Sequence, residues 1–352
     1  GSTGETFMSD TTRAPAHLDV VGIGNAVVDI IAPAPVAVAE DAGLAVGAMT
    51  LVEADQSDRI YAKMGQSLEM SGGSVANSTA AIAALGGRAG YIGRVNDDQF
   101  GKVFAHDCNA VGVAFTNPPA TDGLPTARCL VLVHPDAQRT MATYLGACTE
   151  LGPADLDHQM IEGAAVTFLE GYLWDKPDAK AACLAAADVA HKAGRRVALS
   201  LSDPFCVDRW RAEFRELIDG HVDVLFANEA EITSLYEVDD FDTALQHVRG
   251  AVEIAALTRS EKGAVILKGG EVHVIDAASI EHLVDTTGAG DLFAAGFLHG
   301  LTHGMDLHQC GRLGVLSAGA IIQQYGPRAE RPLAPLVDQA RDAHAKLAVA
   351  AA

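Results

Sequence analysis

The run Asp285-Thr286-Thr287-Gly288-Ala289-Gly290-Asp291 holds the residue types needed to handle a charged group. Leu292, Phe293, Ala295 and Phe297 follow with helical spacing, so the run reads as a loop opening directly into a helix. Thr286 and Thr287 are helix-capping types, and the two glycines let backbone come close to a ligand. A helix N-terminus offers unpaired N–H groups and the positive end of the dipole, which suits an anion. Asp291 fits two roles there. It can be an ordinary first-turn acid favoured by the dipole. It can also be a general base beside a phosphate-sized hole, taking the proton of an attacking hydroxyl. The run alone leaves both open.

Three other stretches carry polar residues where strands should end. The apolar strand Val20-Val21-Gly22-Ile23-Gly24 runs into Asn25 and Asp29. Gly22 and Gly24 resemble the start of a dinucleotide fingerprint, but Val27 holds the place of the third glycine and no strand–helix–strand follows at the right distance. Asn25 and Asp29 are then either turn formers or ligand contacts. Gly72-Gly73 permits close backbone approach, Ser74 is expected to cap a helix through Leu85, and Asn77 lies near its start. Asn228-x-x-Glu231 reads either as a helix N-cap with first-turn glutamates or as a weak Mg²⁺ pair acting largely through water and phosphates.

The elements that must position these residues alternate strand and helix. Strands are expected at Val166–Glu170, Arg196–Leu201, Val222–Ala227, Val252–Leu257 and Ala264–Lys268. Helices are expected at Asp178–Ala193, Asp208–Ile218, Leu307–Gln323 and Pro332–Val349. Near-continuous apolar strands in β–α repeats imply an α/β fold with a mostly parallel sheet covered on both faces. In such a sheet the carboxyl ends lie along one edge, so the four polar clusters should converge. The segment 127–144 breaks the alternation, because two strand-like runs flank the turn His134–Gln138. With part of 32–70 it reads as a small β-sheet outside the main one. The expected division is a tail over 1–16, a large α/β domain from 17–31, 71–121 and 147–352, and a small β lid from part of 32–70 and 122–146.

The chain has 352 residues, 49 % of them apolar, with 25 basic and 46 acidic side chains and a net charge of −21. That balance argues against nucleic acid and anionic membranes as partners. It leaves local phosphate binding by backbone amides open. No apolar run approaches the roughly 18 residues of a membrane span, and no basic-then-apolar signal is read at the start. Gly1 to Phe7 read as a remnant ahead of Met8. The six scattered cysteines suggest a reducing cytoplasm, with no disulfide and no zinc site.

Taken together, Gly72-Gly73-Ser74-Val75-Ala76-Asn77 and Asp285–Asp291 make the chain resemble the ribokinase-like carbohydrate and nucleoside kinases from His17 onward. Gly24-Asn25-Ala26-Val27-Val28-Asp29-Ile30, Leu201-Ser202-Asp203-Pro204-Phe205 and Arg139-Thr140-Met141-Ala142-Thr143-Tyr144 resemble the adenosine kinase branch. The resemblance implies a three-layer ribokinase-like sandwich with a small β lid. It also implies a purine-salvage type of reaction, with phosphoryl transfer from ATP to a primary hydroxyl, most simply adenosine to AMP. Asp291 would be the base, and the amides of Gly288, Ala289 and Gly290 the anion hole. Arg139 would close over the phosphates with the lid. Asn25, Asp29, Gly72, Gly73 and Asn77 would hold vicinal hydroxyls.

The same resemblance places Phe205 and Tyr172 at a purine pocket, although both rings also suit core packing. Asn228 and Glu231 match the Mg²⁺/phosphate motif. Thr258 and Gly263 match a nucleotide loop in which the family has glycine where Ser260 stands. Asp285 and Thr287 match positions whose carbonyls hold a monovalent cation in many members, leaving a potassium requirement open. The partners implied are small molecules only, with the chain a monomer or homodimer in the cytoplasm. A sugar kinase of the same fold, acting on ribose, fructose or a keto-deoxy sugar acid, is the runner-up. A non-catalytic nucleoside-binding relative ranks lower, since Asp291, Gly288 and Gly290 are all present.

Overall fold

The computed structural model describes residues 16–351. The tail expected over 1–16 lies, apart from Ala16, outside the described residues. The chain opens with β1 (Leu18–Ile23) and β2 (Val27–Pro33), then α1 (Val36–Asp41), β3 (Met49–Leu51), α2 (Ala54–Lys63) and β4 (Leu68–Gly72). Next come α3 (Ser74–Ala84), β5 (Ala89–Ile92), α4 (Gln99–Ala110), β6 (Val113–Phe115) and the hairpin β7 (Ala127–Val133) and β8 (Arg139–Tyr144). The alternation then runs α5 (His158–Glu162), β9 (Ala164–Glu170), α6 (Pro177–Lys192), β10 (Arg196–Ser200), α7 (Pro204–His221) and β11 (Val224–Asn228). It continues through α8 (Glu229–Tyr236), α9 (Phe241–Val248), β12 (Ile254–Thr258), β13 (Ala264–Lys268), β14 (Glu271–Ile275) and β15 (Ser279–Ile280). The last elements are α10 (Ala289–Thr302), α11 (Leu307–Ile321), α12 (Pro335–Arg341) and β16 (Ala348–Val349).

Nine strands form the large sheet in the order β14-β13-β12-β11-β10-β9-β1-β5-β6. It is parallel from β6 to β12, and β13 and β14 are antiparallel. Alternate residues feed two separate cores. Val224 and Phe226 join α3, α10 and α11 on one face, while Leu225 and Ala227 join α6, α7 and α8 on the other. This is why these strands are apolar throughout. The order reverses at β1, which lies between β5 and β9. The crevice beyond the carboxyl ends of β1 and β9 is therefore the ligand position that the topology favours.

The small sheet has the order β3-β8-β7-β2-β4. Its β2 was expected with the large domain through Ile31, but Val27–Pro33 pairs instead with β4 and β7. A break of three residues after β1 is enough to redirect the chain. One face of this sheet buries Val28, Ile30, Leu130, Leu132 and Ala142 together with Ala39 of α1 and Ile60 of α2. Asp29 and Arg139 therefore share the opposite face, by strand alternation and register. Among the described residues no helix is long and apolar enough to cross a membrane.

Three helix boundaries differ from expectation. Ser74 is the first residue of α3, not its cap; Gly73 takes the cap position. The helix expected from Asp208 starts at Pro204, because the Asp203 carboxylate accepts the Cys206 amide at 2.7 Å. The terminal helix expected over Pro332–Val349 is confined to α12, and the chain then turns to pair β16 with β15. The cause is Arg312, a buried residue of α11. Its guanidinium donates to the carbonyls of Gln339, Ala340, Asp342 and Ala345 at 2.8–3.4 Å, drawing the chain out of helix.

Arg312→Met leaves these carbonyls without their donor. It should lower unfolding stability by roughly 3 kcal/mol and speed proteolysis within 335–351. Urea unfolding and limited proteolysis indistinguishable from wild type would show that α12 and β16 hold without it.

Candidate active site

The floor of the crevice is Glu170, the last residue of β9 and 1 % exposed. Its carboxyl accepts the amide of Asn25, just past β1, at 3.4 Å and that of Val75 in the first turn of α3 at 3.2 Å. One side chain thus joins both sides of the switch point to α3. Burial lifts its pKa to about 8; the two amides pull downward, and nearby Asp291 pushes up. Glu170 was not singled out in the sequence, although a charge closing the apolar run Val166–Leu169 is a readable signal.

Above this floor, α3 and α10 bring their N-termini together. Asp291 lies in the first turn of α10. Its Oδ1 accepts the Ser74 hydroxyl at 2.6 Å and its Oδ2 the Asn77 side-chain amide at 3.2 Å. Ser78 adds a bond to the Asp291 carbonyl at 2.8 Å. Burial raises the Asp291 pKa, while Ser74, Asn77 and the Arg328 charge act against it. Gly288 caps α10 with φ +84°, a conformation open to glycine, and a Cβ there would meet Pro327 at 2.6 Å. Thr286 and Thr287 are therefore not the caps expected; the Thr287 hydroxyl bonds Asp285 instead. The amides of Gly288 and Gly290 have no protein acceptor among the described residues, whereas that of Ala289 donates to Thr286 at 3.2 Å.

The small sheet supplies the opposite wall. Asp29 on β2 packs against the backbone of Gly72. Burial lifts its pKa to about 6 against the pull of Arg328. Gly73 has φ +103°, and a Cβ there would lie 2.4 Å from the Asn25 carbonyl, so this close approach requires glycine. Arg139 on β8 reaches the loop before α10: its Nη1 is 3.5 Å from Asp285 Oδ2, and its guanidinium lies over the Tyr325 ring at 5.4 Å. Asp285 also accepts the amides of Thr287 and Gly326 at 3.0 Å each. Burial works against ionisation of Asp285, but those bonds and Arg139 hold its pKa below the usual range.

Arg328, in the turn after α11, was also unforeseen and carried no sequence signal. It donates to Asn77 Oδ1 at 2.9 Å and to the Ser71 hydroxyl at 3.0 Å.

The residues that the sequence resemblance assigned to the nucleotide collect at neighbouring strand ends. Asn228 and Thr258 are paired across β11 and β12. Asn228 and Glu231 form a capping box at 2.8 and 2.9 Å, which realises the helix-cap reading of this pair. Burial lifts the Glu231 pKa to about 7, with Asp203 and Asp291 adding to it against the Asn228 amide. Ser260 has φ +52° in the turn that Gly263 ends, which explains why glycine suits that place. Of the two aromatics, Tyr172 packs on the core beside α6 and α7, and its amide donates to the Ser202 hydroxyl at 3.2 Å. Phe205 stands 73 % exposed on the first turn of α7.

Residues 44–333 match the model of the pfkB family carbohydrate kinases. The chain belongs to that family. The kinase resembles the adenosine kinase of Sinorhizobium meliloti, 49 % identical with a TM-score of 0.83, covering 92 % of this chain and 100 % of that one. A probable sugar kinase from Rhizobium etli is 48 % identical with a TM-score of 0.83, covering 92 % and 99 %. An ATP-dependent ribose-1-phosphate kinase of Halopiger xanaduensis is 31 % identical over 277 residues, covering 74 % of this chain and 84 % of that protein. The fold is ribokinase-like, and the kinase is a phosphotransferase with an alcohol group as acceptor.

Glu170 gives the kinase a pH signature. Its folded pKa of about 8 exceeds the unfolded 4.5, so the folded state holds its proton more tightly. That contribution to stability is complete below about 4.5 and is lost as pH rises through about 8. Glu170→Gln loses an acceptor but does not titrate. The gap in Tm between wild type and Glu170→Gln should therefore narrow from about pH 5 to about pH 9. A gap that widens would mean Glu170 is held ionised.

Proposed function

We propose that this kinase transfers the terminal phosphoryl group of ATP to the 5′-hydroxyl of a purine nucleoside, adenosine foremost. The observation that carries the chemistry is the Asp291 carboxylate, half-buried between two helix N-termini with both oxygens oriented by Ser74 and Asn77. Asp291 takes the hydroxyl proton as the oxygen bonds phosphorus and the bridging P–O bond to ADP breaks. The amides of Gly288 and Gly290, with that of Ala289 once it leaves Thr286, stabilise the charge on the transferred group. Arg139 moves from Asp285 onto the phosphates as the small sheet closes, excluding water. Asn25, Asp29, Gly72, Gly73 and Asn77 hold the vicinal hydroxyls.

Asn228, Thr258 and Gly263 line the ATP side. The capping box commits Asn228 Oδ1 and Glu231 Oε1, and no group of three or more metal-ligating side chains occurs among the described residues. That donor set fits Mg²⁺ held through water and phosphate oxygens. When bound, the ion supplies charge neutralisation on the phosphates. A monovalent cation on the carbonyls of Asp285 and Thr287 belongs to the same proposal.

The nucleoside assignment is supported by the 49 % identity to the S. meliloti adenosine kinase over 92 % of the chain. A free-sugar kinase is the second reading. It is favoured by the R. etli relative and by Phe205, whose 73 % exposure leaves it outside any protein-built slot for a base.

ATP consumption with adenosine, inosine, guanosine, cytidine, ribose and fructose, in Mg²⁺ and potassium, distinguishes the two. Strong turnover of adenosine and little of ribose is expected; turnover of a free sugar alone would overturn the nucleoside assignment. Asp291→Asn should fold normally and lose about 10²-fold or more in kcat. Near-normal turnover would remove Asp291 as the base. Arg139→Ala should lower kcat more than it raises KM, and an unchanged kcat would leave Arg139 as a lid surface charge.

A further inference from the structure

Asn77 is wedged between two groups of opposite hydrogen-bonding character. On one side is Arg328 Nε, 2.9 Å from Oδ1; on the other is Asp291 Oδ2, 3.2 Å from Nδ2. A guanidinium can only donate and a carboxylate can only accept. With both neighbours in place, the amide has one orientation that satisfies them; the flipped form would set donor against donor and oxygen against oxygen. Asn77 is 7 % exposed, so water does not relieve such a mismatch. The fixed orientation spends one hydrogen on Asp291 and leaves the second for an acceptor hydroxyl.

Arg328 is itself anchored. Its Nη1 donates to the Ser71 hydroxyl at 3.0 Å and lies 3.9 Å from Asp107 Oδ2, which also takes the Ser71 amide at 2.7 Å. Ser71 belongs to β4 of the small sheet, and Asp107 to α4 beneath it.

We infer that Arg328 is a positioning residue for the reaction: anchored on Ser71, it locks the Asn77 amide as a two-hydrogen donor, one hydrogen on Asp291 and one for the acceptor. A hydrogen-bonded line thus runs from the small sheet through Ser71, Arg328 and Asn77 to the base. The kinetic side of this inference rests on the reading of Asp291 as base; the amide geometry does not.

The test reads Asn77 directly. The chain has six asparagines, so ¹⁵N-asparagine labelling gives a sparse spectrum in which the pair lost in Asn77→Ala is Asn77. In Arg328→Met that pair should shift and exchange with solvent about tenfold faster or more. With the acceptor that wild type turns over best, Arg328→Met should lower kcat about tenfold, with KM for ATP within about twofold. In an Asn77→Ala background the same change should cost less than about twofold, because the residue acts through Asn77. Should Arg328→Met fail to fold, Arg328→Lys keeps the charge, cannot span Asn77 and Ser71, and should give the same pattern. An unaltered Asn77 amide, or an undiminished kcat loss in the Asn77→Ala background, overturns the inference. A displaced amide with Asp291→Asn still active would instead locate the error in the choice of base.

Discussion

The structure depends on holding a half-buried carboxylate where two helix N-termini come close. Asp291 sits in the first turn of α10, and the groups on its oxygens, Ser74 and Asn77, come from the start of α3. Two positive dipole ends therefore face one negative charge, which offsets part of the cost of burying it. The arrangement requires α3 and α10 to pack on the same face of the sheet with their first turns level. The β1–α3 and α10–α11 packing in the larger core supplies that alignment.

A second carboxyl competes for the same environment. Glu170 takes an amide from the start of α3, and its charge and that of Asp291 repel. Burial moves Glu170 to about 8, so near neutrality it is mostly protonated and Asp291 is spared a buried neighbour of like charge. Burial raises both acids; Ser74, Asn77 and Arg328 act against the rise at Asp291, as the amides of Val75 and Asn25 do at Glu170. Glu170 ties the end of β9 to Asn25 and to the first turn of α3, and so holds the crevice in shape.

Much of this was readable from the chain. Continuous apolar runs such as Val224–Ala227 revealed strands buried on both faces, and the 127–144 pattern revealed the hairpin, because periodicity reports burial directly. Asn77 and Asp291 do meet, but not through the ends of the parallel sheet: Gly72 ends β4 of the small sheet, and Asp285–Asp291 follows β15, outside the large one. Several of the failures turned on a contact made far away in sequence. Ser74 has the composition of a cap, but the Asp291 carboxylate 217 positions on claims its hydroxyl. Thr287 was lost as a cap to a local contact instead, with Asp285 two positions before it. The apolar stretch after Pro332 has a helical look, yet Arg312 removes the carbonyls that a longer helix would use. Arg328 follows a helix in an ordinary turn, and only the fold brings it to Asn77.

The place of β1 between β5 and β9 bears on how the molecule is assembled. A strand made early finds one neighbour only when the chain has been synthesised through Ala164–Glu170. Until then an apolar segment with an open edge must wait, which is the exposure that invites mispairing and chaperone capture. Pairing with β5, which emerges sooner, shields one edge of β1 in the interval. A substitution that weakened the β1–β5 contact would therefore act on yield in the cell more than on the finished enzyme.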